Sequence, residues 1–252
     1  MERLDYLAAL SRSMVELRRI AEQSTPAQLE TPVRGCPGWT VADVFGHLGS
    51  IERWTAGILA GGKPEASQPW PAGNPVPWFL AGTADFLAGM ESVDPNAACW
   101  TMGPPRTATF WLRRQAHEHT VHLWDVMHAL ASAGSDTAPV ATADPRVLPE
   151  ALLPSELAVD GVDEVFSVFV PRQVKRGLMP VPAAAVAFAA APAGRAAKNS
   201  WILGEGTPAA TVTADARTLY LALWGRVEWQ GHALLQGDTA AARTILSGPL
   251  VP

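Results

Sequence analysis

Apolar residues recur every three or four positions through the first half of the chain, which is the spacing of helices that bury one face. Residues 1–23 carry such a stripe, formed by Leu4, Leu7, Ala8, Met14, Leu17 and Ile20. Pro26 marks the end of this helix or the beginning of the next turn. The pattern predicts a first helix that belongs to the folded protein.

Three more helices are predicted before residue 135. Residues 40–59 open with Thr40, a side chain suited to cap a helix, and Asp43 follows three positions later in the first turn. Further helical patterns run from about residue 77 to 91 and from about 107 to 131. Residues 64–78 form a Pro- and Trp-rich connection, a composition typical of a loop that covers a site. Four consecutive helices indicate an up-down four-helix bundle.

The pattern changes after residue 131. Small and polar residues, with prolines, fill positions 131–150 and predict a linker, which divides the chain into domains 1–135 and 136–252. A short helix is expected from about Ser155, followed by strands at 183–191, 200–205 and 209–215 and by helices at 214–226 and 237–247. The second half is predicted to be a small α/β domain, and the whole chain an α+β protein.

Composition narrows the class of partner. The formal net charge of −5 and the pI near 5.7 argue against nucleic acid and favour a small-molecule substrate. Two cysteines, Cys36 and Cys99, are too few for a disulfide scaffold. We expect two reduced thiols, with Cys36 packed, and a single disulfide is the alternative. No basic partner for Cys36 is identifiable near it in the sequence. No run of about 20 apolar residues predicts a membrane span, so we expect a cytoplasmic protein, either monomeric or homodimeric.

The candidate chemistry lies in the stretch HEHTVH, residues 117–122. On a helix Glu118 and His122 lie about 40° apart and can chelate one divalent ion together, with Arg114 on the same face. The spacing differs by one residue from the HExxH motif of zinc proteases. A catalytic zinc ion usually takes three protein ligands, and His47, on the apolar stripe of the second helix, is the best third candidate.

Plainer interpretations stand beside this one. His47 can be a hydrogen-bonded core histidine, Glu118 and His122 can form a helix-stabilising pair, and HEHTVH can be a solvated helix face. The tryptophans are expected mostly in the core.

Four segments carry a resemblance to a known family. CPGWTVADVFGHLGSIERW, RRQAHEHTVHLWDVMHAL, ELAVDGVDEVF and DARTLYLALWGRVEWQGHALLQGD together resemble the mycothiol-dependent maleylpyruvate isomerase family. This resemblance implies a DinB-like metal-binding helix bundle followed by a C-terminal domain similar to sterol carrier proteins.

The resemblance also implies a set of site residues. A divalent metal, usually zinc, would be held by His47, Glu118 and His122, the same three residues that helical geometry favours. Arg226, in the sequence LWGR, would bind an anionic substrate or the thiol cofactor. Arg114 is our own addition, as a second group for an anion, because a guanidinium binds carboxylates in bidentate fashion.

The implied reaction uses mycothiol as a cofactor. The metal would lower the pKa of the mycothiol thiol, the thiolate would add to an unsaturated substrate such as maleylpyruvate, and bond rotation and elimination would complete a cis to trans isomerisation. A mycothiol S-transferase acting on an electrophilic metabolite is the first alternative, and a metal- or ligand-binding protein without turnover is the second.

Overall fold

The computed structural model describes residues 1–63, 65–133, 148–191, 197 and 199–252. Its residues group into two compact units, Met1–Ala141 and Thr142–Pro252. The predicted domain boundary at residue 135 and most of the predicted linker 131–150 lie outside the described residues. No helix in the described part of the chain is long and apolar enough to span a membrane.

The first unit is helical, and its long helices confirm the predicted ones. The helices are α1 (Arg3–Gln23), α2 (Pro26–Leu29), α3 (Val41–Leu59), α4 (Val76–Ser92) and α5 (Ala108–Ser132). Both α1 and α3 pack against α4 and α5, so that the apolar stripes meet in a shared core. The short α2 is an addition to the prediction. It begins at Pro26, where either the end of the first helix or the beginning of the next turn was expected.

Helix α3, which carries one candidate ligand, begins with a capping box. The Thr40 hydroxyl accepts a hydrogen bond from the backbone N–H of Asp43, and the Asp43 carboxylate accepts one from the Thr40 N–H at 2.8 Å. This reciprocal capping satisfies two backbone donors at the helix terminus. The predicted cap is therefore confirmed, and it lies two turns before His47.

The second unit pairs helices with a mixed sheet. Its elements are α6 (Ser155–Glu164), a π-helical turn (Val165–Phe169), α7 (Val170–Lys175), β1 (Val186–Ala190), β2 (Asn199–Leu203), β3 (Ala210–Ala214), α8 (Ala216–Leu223), β4 (Leu234–Gly237) and α9 (Thr239–Leu246). The sheet order among the described residues is β2-β1-β3-β4, with β1 and β3 parallel and the outer pairs antiparallel. The helix predicted from Ser155 continues through the π-helical turn to Lys175.

Burial along β3 shows which face of the sheet is covered. Ala210, Val212 and Ala214 are buried, whereas Thr211 and Thr213 on the opposite face are partly exposed. This alternation is expected for a sheet that buries one face, and α8 and α9 both contact β3. The predicted α+β class is confirmed.

Candidate metal centre

Helix α5 carries two of the three predicted ligands. Glu118 and His122 lie one turn apart, and the Nε2 atom of His122 is 3.4 Å from the Oε1 atom of Glu118. Their side chains are mostly buried, with 17% of Glu118 and 9% of His122 exposed. The helical period therefore brings the carboxylate and the imidazole together on one face of α5.

Helix α3 supplies the third predicted ligand from the opposite side. The Nε2 atom of His47 lies 2.9 Å from the same Glu118 oxygen, Oε1. The candidate donor atoms of His47, Glu118 and His122 all lie within 4.8 Å of one another. Two residues of α5 and one of α3, 71 positions from Glu118 along the chain, thus converge on one point.

This set of donors fits a divalent metal ion. Zinc binds imidazole nitrogen and carboxylate oxygen at about 2.0–2.2 Å, which places neighbouring ligands of a tetrahedral site about 3.3–3.6 Å apart. The separations of 2.9 and 3.4 Å around Glu118 Oε1 are close to this value. Three protein ligands leave one position for an exogenous molecule, as in catalytic zinc sites.

Arg114 binds the other oxygen of the glutamate. Its guanidinium, 3% exposed, lies 2.7 Å from Glu118 Oε2. Burial on its own would raise the pKa of Glu118, but the positive charge of Arg114 and hydrogen bonds from His122 and His47 outweigh it and hold this pKa well below its usual value. Glu118 is therefore ionised, and Arg114 occupies one of its oxygens while Oε1 faces the histidines.

The two histidines differ in protonation. Burial lowers the pKa of His47, which leaves its imidazole neutral and ready to bind a metal. Burial also acts to lower the pKa of His122, but hydrogen bonds with Asp125, Cys36 and Glu118 prevail and raise this pKa well above its usual value. A metal ion must therefore displace a proton from His122.

Asp125 orients the His122 ring. Its Oδ2 atom is 3.0 Å from His122 Nδ1, and its side chain is fully buried. A carboxylate at Nδ1 leaves Nε2 directed towards Glu118, the arrangement in which protein carboxylates commonly support metal-binding histidines.

Sequence reasoning missed the place of Cys36. Residues 36–39 form a tight turn in which the Trp39 N–H donates to the Cys36 carbonyl at 3.0 Å, with Pro37 second and Gly38 third at a φ of 87°. Only glycine adopts this φ freely, so the CPGW sequence specifies a type II turn. The turn brings the Cys36 thiol to 3.6 Å from Asp125 Oδ2 and next to His122. Cys36 therefore has a basic neighbour, His122, that its local sequence does not reveal.

Aromatic rings lie beside the two histidines of the candidate site. The Trp39 ring lies 4.9 Å from the His47 ring and 6.2 Å from the His122 ring, and Trp70 meets Trp39 edge-on at 5.9 Å. Trp70 belongs to the loop 64–78, of which Pro64 is outside the described residues. Its indole lies directly on Gly46, where a Cβ atom would be 2.5 Å from Trp70 Cγ. Trp70 is therefore a residue through which this loop contacts the surroundings of the site.

The remaining histidines of α5 are not a solvated face. His117 and His119 are fully buried and His128 is 7% exposed, so that alternative is wrong. His119 Nε2 is 3.1 Å from the buried carboxylate of Glu52, and its Nδ1 lies 2.9 Å from the Gln115 carbonyl. Such a hydrogen-bonded pair explains how polar side chains occupy the core.

Arg226 lies in the second unit, three residues beyond α8, and its Nη1 donates to the Trp224 carbonyl at 2.7 Å. Its implied contact with a substrate or thiol stays a prediction.

The molecule is thus an α+β protein with a candidate metal centre in its helical unit. Residues 10–127 match a family model described as the mycothiol maleylpyruvate isomerase N-terminal domain, and residues 156–244 match one described as the MDMPI C-terminal domain. Together the two models cover most of the chain. The chain therefore belongs to the mycothiol-dependent maleylpyruvate isomerase family, a family of enzymes, and the predicted resemblance is confirmed.

Solved structures agree on the fold. A crystal structure of the mycothiol-dependent maleylpyruvate isomerase is similar over 94% of this chain and 93% of that one, with a TM-score of 0.57 and 10% identity. A mutant of that isomerase, with one histidine replaced by alanine, has a TM-score of 0.61 and 11% identity over the same shares. A search of curated proteins finds no match. Sequence identities of 10% and 11% support a similar fold only, and they do not decide which reaction this protein catalyses.

Proposed function

We propose that this protein is a metal-dependent, mycothiol-dependent isomerase that acts on maleylpyruvate or on a related electrophilic, unsaturated acid. The observation that carries the proposal is the convergence of His47 Nε2, Glu118 Oε1 and His122 Nε2 in a member of this family. A divalent ion, of which zinc is the best candidate, bound by these atoms would supply Lewis-acid chemistry and lower the pKa of a coordinated thiol.

The protein's own residues prepare that site. Glu118 contributes an ionised oxygen because Arg114 compensates its charge at 2.7 Å, and His47 contributes a neutral imidazole. Asp125 Oδ2 accepts a hydrogen bond from His122 Nδ1–H and thereby fixes the orientation of Nε2. The half-buried rings of Trp39 and Trp70 restrict water on one side of the site.

Two arginines are proposed for anionic groups of the substrate or the thiol. Arg226 is proposed by resemblance to the family, and Arg114 by its place on the ligand face of α5. The ion pair with Glu118 gives Arg114 a second role as a charge partner of a metal ligand. Substitution of Arg226 by lysine keeps the charge but removes the planar fork, so a raised KM in Arg226→Lys would support a bidentate contact.

A product assay tests the proposal. Purified protein with one equivalent of zinc is incubated with mycothiol and maleylpyruvate, and the products and remaining thiol are quantified. An isomerised acid with full recovery of mycothiol is expected. A stable thioether would instead identify a mycothiol S-transferase, and the absence of both zinc binding and turnover would refute each enzymatic function.

Two variants show whether the proposed ligands carry the reaction. His47→Ala should abolish zinc binding at the site formed by His47, Glu118 and His122, and turnover with it, because it removes one of the three ligands of that site. His128→Gln is the matched control, since the His128 ring stacks on Trp124 at a centroid distance of 4.6 Å and takes no part in the ligand set. Equal loss in both variants would contradict the assignment. The predicted cytoplasmic location and oligomeric state stay predictions.

A further inference from the structure

A second set of donor atoms lies on the other side of the His122 ring. Asp125 Oδ2 is 3.0 Å from His122 Nδ1 and 3.6 Å from Cys36 Sγ, and the three donors lie within 4.8 Å of one another. His122 and Asp125 are buried, and Cys36 is half-buried. The Nε2 atom of the same ring belongs to the first ligand set, so His122 takes part in both.

The geometry of this second set suits a thiophilic ion. Zinc binds sulfur at about 2.3 Å and nitrogen or oxygen at about 2.0–2.2 Å, so the edges of a tetrahedral site measure about 3.3–3.8 Å. The separations of 3.0 and 3.6 Å are near this range. Soft thiolate ligands favour zinc and cobalt over magnesium or calcium.

Local structure holds these donors in place without a metal. The tight turn at residues 36–39 fixes the backbone of Cys36, and α5 fixes Asp125 one turn beyond His122. A preorganised set of this kind loses little conformational entropy when it binds an ion. Its thiol comes from a turn that precedes α3 and not from either helix that builds the first set.

We propose that Cys36 Sγ, His122 Nδ1 and Asp125 Oδ2 form a second position for a thiophilic divalent ion, with the His122 ring bridging it to the first position. Binding forms three bonds to the ion and releases two protons to the buffer, one from the Cys36 thiol and one from His122 Nδ1. The inference rests on the proposed function only through the shared His122 ring.

Cobalt titration of the metal-free, full-length protein, without added thiols, tests this second position. Cobalt bound to a thiolate gives a charge-transfer absorption in the near ultraviolet, whereas imidazole and carboxylate ligands alone give only the weaker visible bands. We expect the wild type to bind two equivalents and to develop the charge-transfer band. Cys36→Ser should bind one equivalent and lose this band, and Cys99→Ser, the matched control, should behave as the wild type.

His47→Ala separates this inference from the proposed function. It should lose one equivalent of cobalt and keep the charge-transfer band, because its defect lies in the first position. A wild type that saturates at one equivalent, or a band that survives in Cys36→Ser, would overturn the second position. If the wild type binds a single equivalent without the thiolate band, and His47→Ala loses it, only the first position exists and the second is refuted.

X-ray absorption of the wild-type protein gives a readout that needs no variant. With two equivalents of zinc, the spectrum should contain a sulfur scatterer at about 2.3 Å. A spectrum fitted by nitrogen and oxygen alone would overturn the inference.

Discussion

Replacement of Asp125 tests whether His122, a proposed metal ligand, depends on its hydrogen-bond partner. Asp125 Oδ2 accepts from His122 Nδ1 at 3.0 Å, and the aspartate is 1% exposed. Asp125→Ala leaves the His122 ring free to rotate and to change its tautomer. Asp125→Asn removes the charge but keeps an amide oxygen that can accept the same hydrogen bond.

The size of the effect follows from the burial and charge of this contact. A hydrogen bond to a charged group contributes about 1.5–3 kcal/mol, and solvent screening is small where the carboxylate is buried. This corresponds to about 10- to 100-fold in zinc affinity, the range typical of residues that support metal ligands. We expect a loss near tenfold for Asp125→Asn and near 100-fold for Asp125→Ala.

Competition with a chromophoric chelator measures this affinity. The variants are prepared in a Cys36→Ser background, so that only the first position contributes to zinc binding. Asp94→Asn is the control, because Asp94 is an exposed turn residue whose carboxylate accepts from the Asn96 backbone. If Asp125→Ala binds zinc as tightly as its parent, Asp125 does not orient His122 and this reasoning is refuted.

Three other variants or titrations address the surroundings of the site. In thermal melts, Gly46→Ala should destabilise the protein by about 1–3 kcal/mol and shift tryptophan emission, because the new Cβ displaces Trp70. Gly57→Ala is the control, because no atom lies within 4 Å of the new Cβ, and it should instead stabilise α3 by about 0.5–1 kcal/mol. In the metal-free protein, the raised pKa of His122 gives a stability contribution that is complete below the unfolded-state pKa and is lost as pH rises through the folded-state pKa. NMR titration of its ring should find that raised pKa, and a midpoint at or below the usual imidazole value would contradict it. Arg114→Met should cost the metal-free protein about 3–5 kcal/mol by removing the guanidinium that compensates the charge of Glu118 at Oε2, and less once zinc is bound. Equal losses in denaturant melts of both forms would exclude this charge coupling.

The helices and one half of the site follow from local rules. Periodic apolar residues define the long helices, and the Thr40 cap marks where α3 begins because its side chain bonds a backbone N–H only three residues away. Glu118 and His122 are likewise paired by the helical repeat alone. His47 could be proposed as a ligand because it lies on the apolar stripe of its helix. Only the resemblance to a family favoured a metal ligand over a hydrogen-bonded core histidine.

Other features depend on contacts that no local pattern contains. Cys36 reaches Asp125 across 89 positions of sequence, through a turn whose direction only the packed structure fixes. His119 pairs with Glu52 across 67 positions of sequence. This contact buries a polar residue of the segment 117–122, whose composition resembles that of a solvated helix face. Strand β4 is short and mostly exposed at the edge of the sheet, so it has neither the length nor the alternation that predicts a strand.

The central claim is that His47, Glu118 and His122 bind one divalent ion, and a crystal structure of the zinc-loaded protein tests it most directly. Anomalous diffraction recorded on both sides of the zinc absorption edge locates the ion without any assumption about its ligands. We predict an anomalous peak about 2.0–2.2 Å from His47 Nε2, Glu118 Oε1 and His122 Nε2. Zinc bound elsewhere with this triad empty, or no peak at the triad in crystals that contain stoichiometric zinc, would contradict the claim.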